Sequence, residues 1–113
     1  MVTLDDVLSL NNLKLLKLDV ENMELPCLQG AQKIIEKHKP FIYLEYDRKE
    51  HSEQIVSFLE KLGYSCYMHQ SRLFRKDNFK QNSENVFGRT VCINLLCAPS
   101  NVNIKGLKQV SFQ

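Results

Sequence analysis

A chain of 113 residues, 43% hydrophobic and 25% charged, has the size and make-up of one small globular domain. Its formal net charge of +2 argues neither for nucleic acid nor for an anionic membrane surface as a partner. Every apolar run is strand-sized rather than bilayer-sized, and Asp5 and Asp6 stand where a secretory leader would be basic, so a cytoplasmic protein is expected.

Thr3-Leu4-Asp5-Asp6 reads as a helix start, with Thr3 as cap and two acids in the first turn where the helix dipole favours them. Asn11-Asn12 ends that short element. Leu13 to Val20 is the first strand. Its apolar side chains fall on both parities, which predicts a strand covered on both faces, as in a parallel sheet. Leucine is a weak strand former, so a helix competes, and the brevity of the run favours the strand. Asp19 and Glu21 close the strand and lead into a helix over residues 24–39. Pro26 suits its first turn, Leu28, Ala31, Ile34 and Ile35 recur at helical spacing, and Gly30 either kinks it or allows close packing. Lys37, His38 and Lys39 suit its last turn, and Pro40 forbids continuation.

Phe41-Ile42-Tyr43-Leu44-Glu45-Tyr46 is the clearest strand, and it again ends in acids, at Glu45 and Asp47. Ser52 is read as the cap of the next helix, carrying Ile55, Val56, Phe58, Leu59 and Leu62, which Gly63 stops. Tyr64–Met68 and Thr90–Ala98 are two further strands, joined by a polar, basic loop from Gln70 to Gly88. With no helix between them these last strands pair antiparallel, whereas the β-α-β links before them make parallel crossovers. Residues 1–98 form the domain and residues 99–113 a tail that either packs on it or frays. The four cysteines lack Cys-x-x-Cys spacing and read as reduced thiols, with no metal site.

Two acidic strand ends beside one another form a rim, the place where open α/β sheets build ligand sites. Asp19, Glu21, Glu45 and Asp47 are the candidates, each with the plainer alternative of a helix cap or a solvated turn. His69 follows the third strand and is the histidine nearest that rim, and Tyr46 borders it, with rim packing as the plainer reading. His51 reads as a loop residue and His38 as a helix-end residue. Arg72, Arg75, Lys76 and Lys80, interleaved with Phe74 and Phe79, have the pattern of single-strand nucleic-acid contact, but the small net charge favours a solvated, acceptor-binding or partner-binding loop.

Thr3-Leu4-Asp5-Asp6, Lys17-Leu18-Asp19-Val20-Glu21, Glu24, Leu28, Gly30-Ala31, Pro40, Ile42, Leu44-Glu45 and Leu62-Gly63-Tyr64 together resemble the C-terminal half of an FkbM-type methyltransferase. The resemblance implies the last four strands of a three-layer, Rossmann-like class I methyltransferase sheet, the final strand antiparallel. It implies S-adenosylmethionine as methyl donor and a hydroxyl of a small molecule or sugar as acceptor. On it, Glu21 and Glu45 become the catalytic candidates, as positioning groups or base, and Asp19, Asp47, Tyr46 and His69 the substrate rim. Asn22 stands where the family usually has glycine, and asparagine tolerates the same positive φ. The family's glycine-containing donor turn would lie before Met1. The reading is therefore an acceptor-side half, with a non-catalytic self-association or partner-binding module as the alternative. The edge of Leu13–Val20 is the expected contact for a second copy or a separate N-terminal half.

Overall fold

A computed structural model describes residues 1–46 and 48–112. The elements are α1 (Leu4–Val7), β1 (Leu15–Leu18), α2 (Glu24–Gln29), α3 (Gln32–His38), β2 (Phe41–Glu45), α4 (Lys49–Lys61), β3 (Tyr64–Arg72), β4 (Val91–Pro99) and β5 (Lys108–Val110). They form a mixed five-stranded sheet in the order β1-β2-β4-β3-β5, an α/β arrangement compatible with a Rossmann-like fold. None of the described helices is long and apolar enough to cross a membrane.

Strands β1 and β2 pair parallel, Leu16 opposite Ile42 and Leu18 opposite Leu44. Strand β4 runs antiparallel between β2 and β3, so that those two point the same way without touching. The long loop expected after Met68 begins later, because β3 continues to Arg72. The expected tail supplies β5, which pairs antiparallel with β3 through Cys66 and Val110, and its Phe112 packs against the core.

The core lies on one face of this sheet. Leu18, Ile42, Leu44, Cys66, Leu95 and Cys97 meet Leu28, Ala31, Ile35, Ile55, Val56 and Leu59 from the helices, and Leu4 of α1 packs against the same cluster. The other face presents Leu15, Lys17, Phe41, Tyr43 and Glu45, whose register partners run on to Leu96 and Asn94. There Leu15 is 56% exposed and Phe41 37%. The expected third layer and the expected two-sided cover of the first strand are thus corrected. Among the described residues every helix returns to the same side, and Leu15 and Phe41 on the other face remain open to solvent.

The helix expected over 24–39 is two helices. Gly30 and Ala31 part them, and a Cβ on Gly30 would stand 3.1 Å from the Thr3 Cβ, so the break is where α1 docks. Asp5 fixes that docking. Its backbone N–H donates to the Gly30 carbonyl at 2.9 Å. Its carboxylate accepts from the Lys33 and Ile34 N–H groups at 3.0 Å each. Helix α3 has Ala31 at its N-cap and so no side-chain cap of its own, and Asp5 satisfies its first-turn donors from across the chain. Thr3 caps α1 as expected, and the structure adds a reciprocal bond from Asp6 that completes a capping box. Ser52, expected as a cap, lies instead inside α4, buried and with its hydroxyl unpartnered; Arg48 holds the cap position. The helix does stop at Gly63, at φ 83°. All four cysteines are free thiols, as expected.

Replacing Asp5 by Ala removes the donor satisfaction of α3 and is expected to cost about 1–2 kcal/mol, the range for loss of an N-cap. Urea unfolding monitored by circular dichroism checks this: the midpoint falls while the slope holds.

Candidate functional site

The junction after β1 is a tight turn. The Met23 N–H donates to the Val20 carbonyl at 3.2 Å, and the two central residues, Glu21 and Asn22, both have positive φ, 45° and 73°. That pair of signs is the primed-turn pattern, which glycine and asparagine favour. Asn22 therefore does sustain the turn in place of glycine, with Glu21 held in the less favoured left-handed region beside it. Helix α2 starts immediately after, capped at Met23 without a side-chain bond, so neither Asp19 nor Glu21 acts as its cap.

A residue that sequence reasoning passed over for chemistry does the joining. Glu24, 4% exposed, accepts from the Val20 N–H at 3.4 Å and meets His51 Nε2 at 3.1 Å. His51 lies in the first turn of α4 rather than in a loop. The pair ties the end of β1 to the start of the helix that follows β2. Burial works against ionisation of Glu24, but hydrogen bonds from its own backbone, from His51 and from Val20 outweigh it, and the carboxyl titrates below its ordinary value.

Beside this turn, the carboxyl ends of β1 and β2 open on a cleft of about 350 Å³ lined by Lys17, Asp19, Tyr43, Glu45, Cys92 and Asn94 among others. Asp19 and Glu45 thus share one cleft, because β1 and β2 are parallel neighbours in register. Glu21 is carried by the turn and does not line it. Tyr46 donates its backbone N–H to the Ile93 carbonyl at 2.9 Å, clamping the end of β2 to β4. Asp47 lies outside the described residues.

His69 comes to the same face by register. Glu45 stands opposite Asn94, and Asn94 opposite His69, in one row across three strands. Its Nδ1 is hydrogen-bonded to the Tyr43 hydroxyl at 2.9 Å, donor and acceptor being set by the imidazole tautomer, with the rings tilted at 54° and 6.0 Å between centres. Burial, and then the nearby Cys92, push the Tyr43 phenol above its ordinary value. The sequence places Tyr43 in a strand, but its partnership with His69 depends on β4 lying between β2 and β3. Cys92 faces this cleft while Cys97 is buried in the core, the opposite facing that their odd spacing predicts.

Together these groups can hold a hydroxyl-bearing ligand and accept a proton. Among the described residues no group of His, Cys, Asp and Glu is arranged to hold a metal ion. S-adenosylmethionine is held in this kind of fold by close backbone approach at a glycine turn after a strand. Here Gly30 parts two helices, Gly63 ends α4, Gly88 lies before β4 and Gly106 before β5. None directly follows β1 or β2, so the described residues do not fit the donor cradle.

The lowered titration of Glu24 gives a signed expectation. Its contribution to stability is complete above the ordinary carboxylate range and is lost as the pH falls through the lowered folded value. Glu24→Gln is expected to flatten the acid limb of a plot of thermal midpoint against pH, and an unchanged limb would remove Glu24 from the account.

Comparison with known proteins comes to the same place in the chain. The family model described as the methyltransferase FkbM domain matches residues 1–66. No curated protein and no solved structure matches the chain. The matched segment contains β1, the primed turn, the Glu24 clasp and the Glu45 strand end, and the chain belongs to the FkbM methyltransferase domain family.

Proposed function

We propose that this chain supplies the acceptor side of an S-adenosylmethionine-dependent O-methyl transfer to a hydroxyl of a small molecule or sugar. The observation that carries the reading is the shared cleft of Asp19 and Glu45 at the carboxyl ends of parallel β1 and β2. The strand order is also consistent with the last four strands of a class I methyltransferase sheet, β4 being the antiparallel insertion. Bound donor would supply the methyl group. Glu45, with Asp19 beside it, orients the acceptor hydroxyl and takes its proton. Glu21 serves by shaping the turn, and Tyr43 and His69 bound the far wall of the site.

A second reading rests on its own observation. The outer edge of β1 is unpaired among the described residues, and Leu15 and Phe41, directly opposite each other in register, are exposed on the uncovered face. Such an edge and face suit association, either with a second copy or with a separate donor-binding half.

Titration calorimetry with S-adenosylmethionine, followed by transfer of labelled methyl groups to a panel of sugars, distinguishes the two. If the chain transfers, Glu45→Gln is expected to lower kcat by about a hundredfold or more, the range for loss of a general base. An unaltered kcat takes the base role from Glu45, and absence of donor binding favours the association reading. For association, size-exclusion chromatography with light scattering is expected to show a dimer that the double variant Leu15→Glu, Phe41→Glu converts to monomer. A clean monomer of the parent chain ends self-association.

A further inference from the structure

The hairpin between β3 and β4 takes no part in the rim chemistry described above. From Arg72 to Arg89 it holds five cationic side chains against Asp77 and Glu84, an excess larger than the +2 of the whole chain. Asparagine side chains order it. Asn78 Nδ2 donates to the Arg75 carbonyl at 2.8 Å and the Asn82 carbonyl at 2.7 Å, and Asn85 Nδ2 donates to the Gly88 carbonyl at 2.8 Å. The Leu73 N–H closes the neck on the Thr90 carbonyl at 3.3 Å.

This scaffold encloses a concavity of about 770 Å³ lined by Arg72, Phe74, Arg75, Lys76, Asp77 and Arg89 among others. Arg75 and Asp77 satisfy each other through paired bonds of 3.1 and 2.7 Å. Arg72, Lys76 and Arg89 have no ion-pair partner among the described residues. Like charges gathered around one hollow repel, and a bound anion relieves that repulsion. Guanidinium forks match phosphate oxygens in pairs, and lysine adds a point charge. Phe74, half-buried, gives the hollow an apolar wall, which suits an organic phosphate over a free inorganic one.

The site is separate from the rim: Arg72 and Val91 are register partners on the parity of the core residues Cys66 and Leu95, whereas Cys92 and Asn94 take the other face. We propose that the hairpin concavity binds the phosphate group of a phosphorylated small molecule, a site that stands on the hairpin alone.

The test is calorimetric titration of the full chain with inorganic pyrophosphate at fixed ionic strength. One saturable site is expected, weakened at least about tenfold in the double variant Arg72→Gln, Arg89→Gln, since each charge-assisted bond lost is worth that much. Both positions are exposed, so an unchanged circular dichroism spectrum accompanies the loss. No saturable binding, or equal binding by the double variant, overturns the site. Tighter binding of a single-stranded oligodeoxynucleotide than of pyrophosphate also overturns it, in favour of nucleic-acid contact. The outcome is independent of the methyl-transfer reading: saturable pyrophosphate binding by a parent chain that transfers no methyl group upholds the hairpin site and counts only against that reading.

Discussion

The pairing of β4 between β2 and β3 is the constraint on which the rest depends. It satisfies the inner edges of both neighbours at once, Leu44 opposite Leu95 on one side and Cys66 opposite Cys97 on the other. Those same rows build the core, because the partners of one parity all turn toward the helices. The opposite parity turns away and assembles the polar row Glu45, Asn94 and His69. One antiparallel insertion therefore makes the hydrophobic layer and the candidate site together. At the other end of the sheet it also sets the span bridged by Tyr64, whose hydroxyl donates to the Pro40 carbonyl at 2.7 Å. That buried bond fixes the start of β3 against the start of β2 across the intervening strand.

The helical layer is fastened by carboxylates used as long-range caps and clasps. Asp5 supplies to α3 what its own N-terminus lacks, and Glu24 joins the β1 turn to α4 through His51. Glu24 is more valuable as an ion than as an acid, since it accepts hydrogen bonds that a protonated carboxyl would accept less well. Buried charge is costly unless it is paired and hydrogen-bonded. Glu24 meets both conditions, and its lowered titration records the balance. This clasp lies at the base of the rim that carries Asp19 and Glu45.

What was legible in the sequence was what local chemistry decides. The Thr3 cap, the Pro26 first turn, the Gly63 stop and the parity of Cys92 and Cys97 need only neighbours in the chain, and they read correctly. The adjacency of the first two strands was legible as well, because a helix between strands implies a parallel crossover. The misses all required a partner from elsewhere. Gly30 divides a continuous helical pattern because Thr3 packs on it. Ser52 has the chemistry of a cap but is drawn into the core by Ile55, Val56 and Leu59 beside it. Tyr43 and His69 meet only across β4. The two-sided cover was inferred from apolar residues on both parities of the first strand, and the third layer from the resemblance, yet parity reports what a face could bury, and Leu15 and Phe41 stay exposed here.

The two polar regions of the molecule have opposite sign and lie along the same strand. The cleft presents Asp19 and Glu45, and the hairpin presents Arg72, Lys76 and Arg89. Left to themselves such groups would pair and cancel, as Arg75 and Asp77 do within the hairpin. They are kept apart by the strand ends that carry them: β2 stops at Glu45, clamped through the Tyr46 N–H to Ile93, while β3 runs on to Arg72 before turning. The alternation of faces along β4 adds to this, since Arg72 and Val91 share the parity of the core residues Cys66 and Leu95 while Cys92 and Asn94 take the other. Unequal strand lengths and alternating faces together keep the basic hairpin and the acidic cleft distinct.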